Sequence, residues 1–192
     1  MKRKTYILIL LCVLLSVIVA KIYLLNKKYP NPIEEPYIIG ETITDEIFSV
    51  TLNRMEIIDG NELAKRCPEE IVGYHSDGTP YQGNEIRVLL AEISVEKLKN
   101  VTDTFDFSVF MCESNAFGNG VNPSIFMKLN PGVSIQREQI NYKEARKVTL
   151  PFTMIQEQFR YKKQWERIEE REFFVVYSLY PVKKMFVYKA DR

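Results

Sequence analysis

Residues 6–20 carry no charge, and Ser16 is the one small polar residue among them. Lys21 follows, and then Ile22, Tyr23, Leu24 and Leu25 continue the apolar run. At about 1.5 Å rise per residue, a helix over residues 6–25 reaches ~30 Å, the thickness of a bilayer core. Lys21 sits near one end of that length, where its stem can stay in hydrocarbon while the ammonium reaches the headgroups. Lys2, Arg3 and Lys4 form a compact positive cluster ahead of the run. The positive-inside rule predicts a cytoplasmic N-terminus and places everything after residue 28 outside the membrane. An uncleaved signal anchor and a cleaved signal peptide ending near Ala20 both fit, although bulky Ile18 makes a poor cleavage site. A lipoprotein signal fits badly, because Cys12 follows Leu11 in the middle of the run.

The charges divide the chain the same way. The whole chain carries 26 basic and 25 acidic side chains. Six of the basic ones lie in residues 1–28, which hold no acid, so the remainder is net −5. Within it, residues 29–142 hold 8 positive and 18 negative side chains, and residues 143–192 hold 12 and 7. Without a basic excess, nucleic acid is not an expected partner. The late basic residues Arg160, Lys162, Lys163, Arg167, Lys183 and Lys184 could pair across strands or form one patch facing an acidic partner.

Pro30, Pro32 and Pro36 stiffen residues 29–36 into an extended spacer. The body from residue 37 reads as short strands between turns. Phe48, Val50 and Leu52 alternate with polar residues, and Met55 and Ile57 continue on the opposite parity, so a bulge is expected near Asn53-Arg54. Asn61 is the expected cap of a short helix through Arg66. Residues 73–84 form a polar loop. Residues 86–95 are apolar on both faces and should be central in a sheet. Phe105, Phe107, Val109 and Met111 suggest a strand, residues 113–124 a loop, and residues 125–129 another strand before the Asn130-Pro131-Gly132 turn. Val148, Leu150 and Phe152 mark a strand that Pro151 confines to an edge or bulge. Residues 161–171 have a helical pattern, and the last strands hold Phe173 to Leu179 and then Met185 and Val187. The expected fold is a mainly β, antiparallel two-sheet sandwich preceded by a transmembrane helix. The expected parts are residues 1–28, 29–36 and 37–192.

Ile38-Ile39-Gly40-Glu41, Ile47-Phe48-Ser49-Val50-Thr51-Leu52, the Gly83-Asn84-Glu85-Ile86-Arg87-Val88-Leu89-Leu90-Ala91-Glu92-Ile93 strand and the closing Tyr177-Ser178-Leu179-Tyr180-Pro181-Val182-Lys183 carry a resemblance. Together they resemble the membrane-anchored, immunoglobulin-like (telokin-like) domains of unknown function of Gram-positive bacteria. The resemblance covers residues 37–189 and implies a sandwich. It brings no activity and no catalytic residue. The charged segment 162–172 departs from it, because a tight sandwich would have a short loop there.

Chemistry-bearing patterns are sparse. There is no nucleophile elbow, phosphate loop or His-Glu-x-x-His motif. His75 is the single histidine, and with Asp77 it could form an acid–base pair or share a metal, or it could be a solvated loop residue. Tyr74 and Tyr81 bracket the same loop and could meet a partner or cover the core edge. The carboxylate pairs Glu34-Glu35, Glu69-Glu70 and Glu169-Glu170 are expected as surface charge. Cys67 and Cys112 could form one disulfide or stay separate thiols. The sequence therefore predicts no catalytic, cofactor or metal residues, with contacts to a partner through Tyr74, His75, Tyr81, Lys162, Lys163 and Arg167. The expected role is a non-enzymatic binding module of the cell envelope. The alternatives are an accessory subunit of a membrane complex and a hydrolase using His75 and Asp77.

Overall fold

The computed structural model describes residues 2–68, 72–115 and 117–188. The chain divides into two compact units, residues 1–33 and 34–192. Helix α1 (Lys2–Lys28) makes up most of the first unit, and its described side chains are all exposed. Its stretch Ile9–Lys28 is long and apolar enough to cross a membrane.

The second unit is an antiparallel-dominated β-sandwich. Its strands are β1 (Ile33–Tyr37), β2 (Thr42–Thr44), β3 (Phe48–Asp59), β4 (Ile86–Lys97), β5 (Met111–Ser114), β6 (Phe117–Gly120), β7 (Ala145–Ile155), β8 (Phe173–Ser178) and β9 (Val182–Tyr188). One sheet has the order β1-β9-β8-β5-β6 and the other β2-β3-β4-β7. If β3, β4 and β7 are taken as strands A, B and E, and β5, β6, β8 and β9 as C, C′, F and G, the pairing is that of an immunoglobulin sandwich. The end of the extended spacer is itself strand β1, and Pro36 is tolerated because β1 is an edge.

β4 is central, as its two apolar faces predict. It pairs with β3 and β7 over its full length. The register shifts between Leu52 and Arg54, where the parity slip placed the bulge. Leu89, Ala91, Ile93 and Val95 point between the sheets, into a core shared with Phe107, Phe110, Phe126, Phe152, Phe173 and Phe186. Ile86, Val88 and Leu90 point to the outer face. A second apolar cluster covers them with Ile58, Leu63, Cys67, Tyr81 and Ile125.

Helix α2 (Gly60–Arg66) supplies Leu63 to that cover. Its cap is Asp59 and not Asn61: the Asp59 carboxylate accepts the Glu62 N–H at 2.9 Å. A β-carbon at Gly60 would stand 2.5 Å from the Gly83 carbonyl oxygen, so the start of α2 presses directly on the turn that precedes β4.

Three expected elements differ. Residues 105–111 are not one strand. Asp106 accepts from the Ser108 N–H and hydroxyl and turns Phe107–Val109 into a 3-10 segment, so β5 begins only at Met111. Residues 113–124 are not all loop: β5 and β6 form a hairpin with Ser114 opposite Phe117, and Asn115 takes φ +52° to allow the turn. Residues 125–129 are helix α3 (Pro123–Leu129) rather than a strand, started by the Asn122 cap and a first-turn proline.

The segment from β6 through α3 stands where an immunoglobulin sandwich carries strand D. The outer edge of β7 is sealed by asparagines instead. Asn119 donates to the Thr153 carbonyl at 2.7 Å, and the Asn122 backbone donates to the Pro151 carbonyl at 2.8 Å. The Asn130 amide donates to the Thr149 carbonyl at 2.9 Å and accepts its N–H at 2.7 Å. Pro151 has no N–H to leave open, and the edge is closed to another strand.

Candidate functional site

The pairing of β4 with β7 builds one end of the sandwich. Ile86 lies opposite Ile155, which brings Glu85 and Glu157 to the same edge from positions 72 residues apart. Residues 73–81 fold over that edge as a small hairpin. The His75 N–H donates to the Thr79 carbonyl at 2.7 Å and the Tyr81 N–H to the Gly73 carbonyl at 3.1 Å. Gly78 takes φ +85°, which the tight turn requires. Asp77 accepts from the Thr79 N–H at 2.9 Å and its hydroxyl at 2.6 Å, and these bonds lower its pKa.

His75 is held between the two carboxylates. Its Nδ1 is 3.2 Å from Glu157 Oε1 and its Nε2 is 3.4 Å from Glu85 Oε2. The imidazole rests on the Tyr81 ring, 4.0 Å between centroids. The Tyr81 hydroxyl donates to the other Glu157 oxygen at 2.7 Å, and the Gln82 N–H donates to Glu85 at 3.2 Å. Glu157, and Glu85 with it, raises the His75 pKa above the ordinary imidazole value. The Tyr81 hydroxyl and then His75 lower that of Glu157.

The acid–base pair of His75 with Asp77 is therefore not formed. Asp77 takes both turn bonds on its Oδ1, and the hydrogen-bond partners of His75 are Glu85 and Glu157. Among the described residues no group of three or more His, Cys, Asp or Glu has metal-holding geometry. Glu69 and Glu70 lie outside the described residues.

Tyr81 is buried in the second cluster, so it covers the core edge and does not present itself to a partner. Tyr74 is exposed beside it. Cys67 and Cys112 are not bonded to each other: Cys67 lies in the outer cluster and Cys112 between the sheets. Burial pushes the Cys112 thiol pKa far up, which keeps it protonated.

The late basic residues do not make one patch. Lys183 reaches Glu113 at 2.7 Å and Glu34 at 3.7 Å, and Lys184 donates to the Thr44 carbonyl at 3.1 Å. Lys162, Lys163 and Arg167 belong instead to helix α4 (Lys162–Glu166) and its C-terminal turn. Lys162 lies 3.6 Å from Glu166, Arg167 is bonded to Glu170, and Lys163 is exposed. α4 is fastened at the same end as the His75 hairpin: Trp165 is buried and donates from Nε1 to the Asn84 carbonyl at 3.0 Å. The hairpin and α4 thus both touch residues 84–85, through His75 on Glu85 and Trp165 on Asn84. Glu85 and Glu157 carry no signal of this role in the sequence, because only the β4–β7 register brings them together.

A family model described as a domain of unknown function, DUF5028, matches residues 32–184. No curated protein matches the chain. Among solved structures, an uncharacterised β-sandwich protein of Clostridium difficile 630 is 12% identical, with TM-score 0.49, over 82% of this chain and 96% of its own. A functionally unknown protein of Listeria monocytogenes is 10% identical, with TM-score 0.49, over 79% and 82%. A candidate lipoprotein of Bacillus subtilis is 10% identical, with TM-score 0.47, over 78% of this chain and 38% of its own. Likenesses this distant transfer no function.

Proposed function

The chain belongs to the DUF5028 family, whose model takes in most of the sandwich, and from that premise we propose a non-enzymatic binding module held at the outer face of a membrane by α1. The observation that carries this reading is the helix itself. Twenty residues, Ile9–Lys28, are apolar enough to cross a bilayer, and the described side chains of α1 are exposed. A soluble domain would hide such a surface, because exposed apolar area on that scale is costly in water. Lys2, Arg3 and Lys4 favour the cytoplasmic side for the N-terminus, which leaves the sandwich outside.

The contact surface of this module is the end bearing Tyr74 and α4. Tyr74 is a large exposed aromatic on a braced hairpin, and such side chains lose little entropy on binding. Lys163, exposed on α4 between the paired Lys162 and Arg167, adds one positive charge suited to an acidic protein or envelope polymer.

Protease added to intact cells tests the topology. Digestion of the sandwich without lysis is the expected result, and protection until lysis would overturn the orientation. Crosslinking of the full chain tests the binding role. Tyr74→Ala should reduce capture of a partner several-fold. Exchange of residues 1–28 for an unrelated span should leave capture intact; loss on that exchange would move the contact to the helix, as in an accessory subunit.

A further inference from the structure

We propose that the His75 cluster is a pH-sensitive latch: the imidazolium fastens the hairpin of residues 73–81 to the ends of β4 and β7, and deprotonation releases it. The geometry carries this. Both ring nitrogens face carboxylate oxygens, at 3.2 and 3.4 Å. A neutral imidazole has one N–H and one lone pair, so one of these contacts would set a lone pair against a carboxylate. Only the doubly protonated ring satisfies both.

The carboxylates around the ring all favour its charged form, and burial opposes it. Glu157 follows β7, Glu85 precedes β4, and Asp77 lies on the hairpin itself, where His75 helps to lower its pKa. Tyr81, beneath the ring, shares Glu157. Among the described residues no lysine or arginine pairs with Glu85 or Glu157, so the imidazolium is their cation. The latch has something to hold. The hairpin carries Tyr81 over Leu63, Cys67 and the outer face of β4, and a hairpin this small has no stability when undocked.

The sign follows from linkage. A histidine whose folded value is raised stabilises the docked hairpin fully below its ordinary value of about 6.5. That contribution is lost as pH rises through the raised value. Between the two values the docking equilibrium falls by up to about tenfold per pH unit.

The test uses the full chain in detergent micelles. His75 is the single histidine, so its imidazole proton resonances need no assignment. The expected midpoint lies above about 6.5 and returns toward it in Glu157→Gln. Hydrogen exchange of the His75 and Tyr81 amides, corrected for its intrinsic pH dependence, should accelerate through the same midpoint. In His75→Gln that dependence should vanish. A wild-type midpoint at or below 6.5, or pH-independent protection of the hairpin, overturns the latch. These two wild-type measurements decide the matter even where a variant fails to fold.

Discussion

The two faces of β4 are filled by different kinds of chain. On the inner face Leu89, Ala91, Ile93 and Val95 meet side chains from the opposite sheet. On the outer face Ile86, Val88 and Leu90 meet a seven-residue helix, a hairpin and the first turn of another short helix. The inner core joins strands far apart in sequence, so losing part of it loosens the whole sandwich. The outer cluster is closed by short local elements, each too small to persist alone. Damage there should open the cover and leave the sheets paired.

Four substitutions sharpen this contrast, each read by denaturant unfolding of the full chain in micelles. Trp165 is the single tryptophan and is buried beside the inner core, so its fluorescence reports global loss. Phe152→Ala, in the inner core, should cost about 3–5 kcal/mol and shift the single transition. A loss under ~1 kcal/mol would mean that the sheets do not depend on this layer. Leu63→Ala, in the outer cluster, should cost about 2–3 kcal/mol. The cover should also open ahead of the sheets, so that amides of α2 and the 73–81 hairpin exchange at a lower free energy than those of β4 and β7. Equal exchange free energies in the cover and in β4 would make the two faces one cooperative unit.

Asn130→Ala removes the side chain that both donates to and accepts from Thr149. It should cost about 1–3 kcal/mol, because the Thr149 groups lose their partner. It should also promote self-association through the opened β7 edge, visible by light scattering. Asp59→Ala removes the cap of α2 and should cost about 1 kcal/mol, the smallest effect of the four. No change in α2 exchange in that variant would mean that packing of Leu63 alone holds the helix.

The contrast also separates what is legible in the sequence from what is not. Strands that line the inner core repeat every second residue, so β3, β4 and β7 are readable, down to the Leu52/Arg54 shift and the edge position of Pro151. The cover obeys no period. Residues 125–129 are five residues long with two fully buried side chains, and nothing in so short a run separates helix from strand. Phe105, Phe107 and Phe110 are all buried, yet a serine–aspartate turn bends the chain between them. The candidate site is partly legible in the same sense. The sequence singles out His75, Tyr74 and Tyr81, but it pairs His75 with Asp77, its neighbour in the chain, and has no access to Glu85 and Glu157.

The sequence by itself determined the apolar helix, the basic cluster ahead of it, the acidic body and the class of fold. These follow from local composition and from short-range periodicity, which water and a bilayer read residue by residue. Only the tertiary structure decided which carboxylates hold the histidine, that the two cysteines stay apart and that asparagines close the β7 edge. Each of these depends on the register between strands separated by dozens of residues. That register comes from the packing of the whole core and is not written in any one segment.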